Sequence, residues 1–391
     1  MIAVSEAQKL IEAHSLTLQV IEVNLEEAFG HYLAEDLNAP ISLPSFRQSA
    51  MDGYAIIHSE AKNLKITGQV QAGDVQVPAL NPGEAIRIFT GAPVPELADT
   101  VIIQEHTTRE GDNLILNQIP AKNANVRPVG EQLKVGDLAL TKGHRINEAS
   151  IGFLAGLGFT SVPVYKKPRV ALLTTGNELQ ERGAPLKPNH IYESNGIMLE
   201  MALKRIGISQ IEKIKVPDTL EATVKAVKKT LEQADVLLIS GGISVGDYDF
   251  VQEALRENGV QEHFYKVNQK PGKPLWFGTQ ADQSVFGLPG NPASSLTCFY
   301  VYVLPHLRLR MGSKKPFLEE RKAILQQDLR NPHDKTLFLK AGVDQNRIMP
   351  FTGQASSMLN TYAVSNALLV IEPHQTGVKQ GDTVTYLDLN F

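Results

Sequence analysis

The chain has 391 residues, a length that ordinarily divides into about two to four domains and provides a sizeable buried core. Acids slightly outnumber bases, the formal net charge is -4 and no basic block occurs, so nucleic acid is not an expected partner. The first residues lack a basic start followed by an apolar run, and no later stretch stays apolar long enough to span a bilayer. The expectation is a soluble, cytoplasmic protein that does not meet a membrane.

From the first residue to about Leu37 the spacing is helical: Ala7, Leu10, Ile11 and His14 fall on one face, and a second run covers Leu25 to Leu33. Between Asn38 and about Gly143 the pattern changes to short β-type segments punctuated by Gly, Pro, Asn and Asp, which predicts a small all-β insert. Glu148 to Leu157 is again helical and ends at Gly158, so this piece is expected to pack with the N-terminal helices. Lys166-Lys167-Pro168 reads as a linker.

An alternation of apolar β runs and amphipathic helices follows. Strands are predicted over Arg169 to Thr174, Gln210 to Val216 and Asp235 to Ser240, then near Glu262 to Val267, Leu275 to Gly278 and Ser284 to Gly287. Helices are predicted over Gly196 to Arg205, Leu220 to Gln233 and Phe250 to Glu257, with a long one from Pro292 to about Met311. Such alternation implies a mostly parallel sheet covered by helices, with ligands binding beyond the carboxyl ends of its strands where strand order reverses. From Pro316 onward β-type segments return, predicting a small C-terminal barrel or sandwich.

The polar, Gly-rich segments fall at the predicted strand ends. Thr174-Thr175-Gly176-Asn177-Glu178-Leu179 follows the first strand, and Ser240-Gly241-Gly242-Ile243-Ser244-Val245-Gly246-Asp247-Tyr248-Asp249 follows the third. Glycines leave backbone N–H groups open to a phosphate or other oxyanion, although a tight turn needing positive φ explains them equally well. Glu178, Asp218, Asp247 and Asp249 come from such loops, and acids gathered near oxyanion donors point to a divalent cation. A helix N-cap is the plainer reading for Asp218 and for Asp249.

Lys270-Pro271-Gly272-Lys273-Pro274 reads as a rigid turn presenting two ammonium groups to a small dianion, with a solvated surface turn as the alternative. Gly287 to Ser295, with Pro289, Gly290 and Asn291 at its centre, ends a strand and opens a helix with Pro292 in its first turn, as another backbone oxyanion cradle would. No two of the ten histidines lie three or four residues apart, so a helical zinc pair is absent, and any metal should be a hard one held by carboxylates. Cys298 is the single cysteine, which removes internal disulfides and thiolate zinc clusters; within an apolar helical run it reads as a buried side chain, not a nucleophile.

Six segments in order carry a resemblance. They are Ser-Ala-Met-Asp-Gly-Tyr-Ala at 49–55, Ile-Phe-Thr-Gly-Ala-Pro-Val-Pro at 88–95, Thr-Gly-Asn-Glu-Leu at 175–179, Gly-Gly-Ile-Ser-Val-Gly-Asp-Tyr-Asp at 241–249, Lys-Pro-Gly-Lys-Pro at 270–274 and Leu-Pro-Gly-Asn-Pro at 288–292. Together they resemble the MoeA-type molybdopterin molybdenumtransferases, the family that includes the E domain of gephyrin.

The resemblance implies an α/β multidomain chain. Its parts are a split helical domain (1–40 plus 144–167), an inserted all-β domain (41–143), a Rossmann-like three-layer α/β domain of molybdopterin-binding type (168–313) and a C-terminal β-barrel (314–391). It also implies a homodimer whose cleft joins the α/β domain of one subunit to the β insert of the other, with Asp52 and Thr90 acting in trans.

The implied reaction inserts molybdate into adenylated molybdopterin and releases AMP. By the resemblance, Asp52, Thr90, Glu178, Asp218, Asp247 and Asp249 are catalytic. The pyrophosphate would lie across Gly241-Gly242 and the Pro289, Gly290 and Asn291 loop. Molybdate would dock on Lys270, Lys273 and Ser244, beside Pro274, with Ser356 or Ser357 nearby, and Mg²⁺ would be held by Glu178, Asp247 or Asp249. A molybdopterin adenylyltransferase is an implied partner.

The chain departs from the family pattern at three places. Phe338-Leu339-Lys340 has Lys where an Arg is common, Ala355 replaces a glycine, and Asn177 stands where many members have Asp. Two other readings stay in view. An adenylyltransferase shares the α/β domain but leaves the β insert unexplained, and a non-catalytic gephyrin-like scaffold would not need its acids.

Overall fold

The computed structural model describes residues 1–243, 250–332 and 334–391. Val170–Thr175 and Val236–Ser240 are buried along their whole lengths. Their side chains alternate between two cores: Val170, Leu172, Val236 and Leu238 enter one, and Ala171, Leu173, Leu237 and Ile239 enter the other. Burial on both faces explains the continuous apolar runs of these strands.

From edge to edge the sheet runs Ile211–Val216, Val170–Thr175, Val236–Ser240, Gln283–Leu288, Trp276–Gln280, Gln261–Tyr265. The first four strands are mutually parallel, and Trp276–Gln280 runs against both of its neighbours. The sheet is thus mostly parallel, and its last-formed pair is a hairpin whose turn carries Ala281 at φ +48°. The chain passes from the first strand outward to the second and then back across to the third. Strand order therefore reverses between Val170–Thr175 and Val236–Ser240, and the loops that follow them diverge and leave a crevice.

Helices Asn195–Arg205, Leu220–Leu231, Val251–Glu257 and Pro292–Cys298 flank the sheet. The expected long last helix is interrupted: Phe299–Val303 forms a wider π turn before Leu304–Arg310 resumes. Pro305 accounts for the position of this interruption, since it has no N–H to donate to the carbonyl one turn back. Among the described residues, no helix is long and apolar enough to cross a membrane.

The insert is a six-stranded sheet ordered Thr100–Ile103, Gly53–Ile56, Glu84–Ile88, Asn63–Val70, Asn113–Leu116, Thr107–Glu110. On either side of it in sequence, Val20–Asn24 pairs antiparallel with Ser161–Tyr165. The helical run expected over Leu25 to Leu33 shrinks to a single 3-10 turn, Leu25–Ala28. Strand pairing with a segment some 140 residues away outweighs the local spacing, and Gly30 at φ +74° closes the turn. Helix Glu148–Gly156 packs on this turn through Leu154, Leu25 and Ala28. The first helix, Val4–Ala13, instead buries Ala7 and Ile11 in the larger core of the α/β unit.

Glu320–Leu325, Thr336–Asp344, Arg347–Pro350, Ala367–Ile371 and Thr383–Asp388 close into a five-stranded barrel. Gln269–Lys270 lies outside the barrel in sequence but pairs parallel with Thr336 and Leu337, so the lysine turn is stitched to the C-terminal unit.

Within the larger core, His306 is fully buried against Phe286 and Phe277, with Nδ1 2.7 Å from Ser15 Oγ. Burial, aided by the Arg310 guanidinium, holds its pKa well below the usual imidazole range. The unfolded chain takes up this proton near pH ~6.5 and the folded chain does not, so stability should fall as pH drops below that value. This one group contributes at most about 1.4 kcal/mol per pH unit. Urea unfolding should show a lower midpoint at about pH 5.5 than at about pH 7.5, and His306→Gln should flatten the difference. An unchanged difference in the variant would assign the effect to other groups.

Candidate functional site

The crevice at the strand-order reversal is a cleft of about 680 Å³. Its walls are Thr174, Thr175, Gly176 and Glu178 from the first strand end, Ser240, Gly241 and Gly242 from the third, and Pro289, Gly290, Asn291 and Pro292 from the end of Gln283–Leu288. Asp218, Pro274, Ser357 and the segment Ile191 to Asn195 complete it.

Close packing dictates the glycines. Gly241 has φ +96° and Gly242 φ +61°; a Cβ on Gly241 would fall 2.6 Å from the Thr175 carbonyl oxygen. One on Gly290 would sit 3.8 Å from Gly241 Cα, so the second and third walls nearly touch at the cleft floor. The turn reading of these glycines is therefore correct, and the same turn places Gly241 and Gly242 in the wall of the cleft.

Asp218 is not the N-cap of the helix that follows it: Thr219 fills that place, its hydroxyl accepting from Ala222 N. The Asp218 carboxylate reaches back instead to the first strand end, accepting from Thr175 Oγ1 and, at 3.0 Å, from Asn177 N. Asn177 Oδ1 returns a longer bond from Asp218 N at 3.4 Å. Asp218 thus holds the loop that carries Glu178. Among the described residues the Glu178 side chain is exposed in the cleft with no hydrogen bond or ion pair of its own. Ser244, Asp247 and Asp249 lie outside the described residues, and among those described no group of three His, Cys, Asp or Glu side chains could hold a metal ion.

The helix beginning at Pro292 does not offer an open oxyanion cradle. Ala293 N and Ser294 N both donate to the Ser356 carbonyl, at 3.0 and 3.3 Å, and Ser295 N returns to Asn291 O. Asn291 Nδ2 also donates to Ser356 Oγ at 3.1 Å. The barrel loop therefore caps the helix and brings Ser357 to the cleft wall.

Lys340 organises that loop. Its side chain is buried, and Nζ donates to Met358 O at 2.7 Å and Ala355 O at 3.4 Å, beside the Tyr362 ring. Burial lowers its pKa. Gln354 clasps the Lys340 backbone on both sides, accepting from its N–H and donating to its carbonyl. Lys340 consequently supports Ser356 and Ser357 and does not itself line the cleft.

In the lysine turn, Gln269 is buried and its amide donates to the carbonyls of Pro271 and Gly272, while Gly272 packs so tightly that a Cβ would meet Cys298 Sγ at 2.6 Å. Cys298 is buried and its thiol pKa is raised, as a packing residue requires. Pro274 lines the cleft, whereas Lys270 and Lys273 are exposed outside its lining and have no acidic partner among the described residues.

Asp52 and Thr90 are elsewhere, on the insert. Gly53 lies opposite Ile88 in the sheet, which brings the flanking residues together. Asp52 Oδ1 accepts from Thr90 N at 2.8 Å and Thr90 Oγ1 at 2.7 Å. These bonds, with the nearby Arg87 charge, lower the Asp52 pKa. Neither residue lines the cleft of its own chain.

Sequence reasoning missed Ile191 to Asn195. Glu193 Oε1 accepts from Gly196 N at 2.6 Å at the start of helix Asn195–Arg205, and Asn195 faces both opposing loops. The available signal was a polar Glu-Ser-Asn run immediately ahead of a helix, at the same sheet edge as the Gly-rich loops.

Family models match the chain in three stretches. "MoeA N-terminal region (domain I and II)" covers residues 2–158, "Probable molybdopterin binding domain" 171–309 and "MoeA C-terminal region (domain IV)" 322–389. The chain is 34% identical to a molybdopterin molybdenumtransferase of Staphylococcus epidermidis over 396 residues, covering 98% of this chain and 94% of the relative. It is also 34% identical to one of Haemophilus influenzae over 394 residues, covering 98% and 97%. The crystal structure of a molybdopterin biosynthesis MoeA protein from Pyrococcus horikoshii superposes with a TM-score of 0.86 at 29% identity, covering 99% of this chain and all of that one.

Lys340→Met should remove two hydrogen bonds to part-buried carbonyls, at a cost of about 1–3 kcal/mol, and free the segment from Ala355 to Met358. Limited proteolysis should then cut this loop faster than in the parent, with Lys340→Arg largely protected. Equal cleavage of all three would mean that the lysine does not hold the loop.

Proposed function

Because the chain belongs to the MoeA family of molybdopterin molybdenumtransferases, we propose that its chemistry takes place in the cleft at the strand-order reversal. The chain is a transferase of molybdenum cofactor biosynthesis and inserts molybdate into molybdopterin. The observation that carries the placement is the meeting of the Gly241-Gly242 turn, the Pro289 to Asn291 loop and the Glu178 carboxylate, unpaired among the described residues, around one cleft.

In this reading the substrate is the adenylated form, its pyrophosphate lying across the Gly241-Gly242 turn and the Gly290 loop, and AMP leaves as molybdenum is transferred. The close approach of these two walls supports one continuous surface for it. Molybdate, a tetrahedral dianion, enters from the side of Lys270 and Lys273, whose ammonium groups have no acid neighbour to neutralise them among the described residues; Pro274, next to Lys273, and Ser357 line the cleft. Ser244 joins this set by its place in sequence. Asp218 acts by fixing the Glu178 loop.

Mg²⁺ would be held by Glu178 together with Asp247 or Asp249. Of these only Glu178 is described, and it meets the requirement of a free carboxylate at the cleft, whereas both Asp218 oxygens are occupied. A bound divalent ion would neutralise phosphate charge there.

Asp52 and Thr90, absent from their own chain's cleft, serve a second copy in a homodimer. The exposed Phe46, Met51 and Val129 around the base of the insert support such a contact. The functional units in this reading are 1–40 with 144–167, 41–143, 168–313 and 314–391. The location is the cytoplasm, where a molybdopterin adenylyltransferase would supply the substrate.

The test is AMP release from adenylated molybdopterin with Mg²⁺, with and without molybdate. Molybdate-dependent release is expected, and binding without release under any condition would overturn the proposed reaction in favour of a non-catalytic scaffold. Asp247→Asn should abolish release with the assembly unchanged, and Lys273→Ala should raise the molybdate concentration needed by roughly tenfold, as the loss of one charge-assisted contact implies. Normal turnover in both variants would remove them from the site.

A further inference from the structure

Asn195 joins two walls of the cleft that come from distant parts of the chain. Its Nδ2 donates to Ser240 Oγ at 2.8 Å and to the Gly290 carbonyl at 2.7 Å. The Gly290 oxygen can only accept, so the amide nitrogen must face it; the flipped amide would set oxygen against oxygen. Both amide hydrogens are thus committed. Oδ1 has no hydrogen-bond partner among the described residues.

Asn195 itself lines the cleft, so the tie is made at the cleft wall. Ser240 immediately precedes the Gly241-Gly242 turn, and Gly290 approaches Gly241 to the point where an added Cβ would be 3.8 Å from its Cα. Sheet pairing holds the two strands together as far as Ser240 and Leu288, and beyond it one side-chain amide, supplied by a third loop, bridges the two walls. That loop is itself anchored: Asn195 is the first residue of helix Asn195–Arg205, whose N-terminus is held by the Glu193 carboxylate.

We propose that Asn195 is a positioning residue for the transferase reaction, bracing the Gly241-Gly242 turn against the Pro289 to Asn291 loop, across which the substrate's pyrophosphate lies. This rests on the cleft placement above. In the free protein the tie should already exist, and it should matter most for binding the extended phosphate portion of the substrate.

The experiment compares the full-length protein with N195A and the nearly isosteric N195D. Hydrogen exchange is followed in peptides covering Val236 to Ile243 and Phe286 to Leu296, and KM and kcat are measured for AMP release. N195A should exchange faster in both peptides while the barrel and the β insert are unchanged, and its KM for adenylated molybdopterin should rise at least about tenfold, with a smaller fall in kcat.

N195D should behave like N195A at neutral pH, where a carboxylate opposes the Gly290 oxygen. It should recover as pH falls, because the protonated carboxyl again donates to that carbonyl and its pKa is raised by the arrangement. Exchange unchanged in both peptides, or N195D kinetics that run parallel to the parent across pH, would overturn the proposal. A parent protein that binds substrate but releases no AMP would sink the proposed activity, and the exchange result would still decide the tie.

Discussion

The constraint on which the structure depends is the two-sided burial of Val170–Thr175 and Val236–Ser240. Strands covered on both faces cannot leave backbone groups unpaired, so their polar groups are satisfied within the sheet and their neighbours are fixed in register. Polar chemistry is thereby confined to the places where these strands end. Since strand order reverses between them, the two ends open away from each other, and every other wall of the cleft is arranged around that opening.

The walls are held by hydrogen bonds that cross between units of the fold. Asp218 binds the loop of Glu178, Asn195 ties Ser240 to Gly290, and the Ser356 carbonyl caps the helix that follows Asn291. The last contact shows how a neutral acceptor can occupy a helix N-terminus that sequence alone suggests for an anion. Two first-turn N–H groups that have no partner within the helix are satisfied by the Ser356 carbonyl, so the loop before the helix contributes shape to the cleft and not an open cradle.

Much of this was legible in the sequence where the signal is local. The Gly241-Gly242 turn, the alternation of strands and helices, the buried Cys298, the β-rich insert and the β-rich C-terminal part all follow from spacing, residue size or backbone freedom. Long-range partners are not encoded that way. Leu25 to Leu33 has helical spacing, yet Val20–Asn24 pairs with Ser161–Tyr165 and the turn between is short. Asp218 stands where an N-cap is expected and serves a residue 43 positions away; Asn195 acts on Gly290, 95 positions away. The burial of Lys340 could be anticipated from its apolar strand, but its carbonyl partners could not.

The pairing of Gln269–Lys270 with Thr336 and Leu337 gives the order of synthesis a role. When the α/β unit has emerged from the ribosome, the short strand beside the lysine turn still has an open edge, and the helix at Pro292 still lacks the Ser356 carbonyl. Both are completed only by segments made afterward, and the barrel that carries them closes with Thr383–Asp388, near the end of the chain. The barrel thus completes the cleft wall, and its Phe338, Tyr362 and Leu368 also enter the larger core, so that cleft and core are finished by the same late segment.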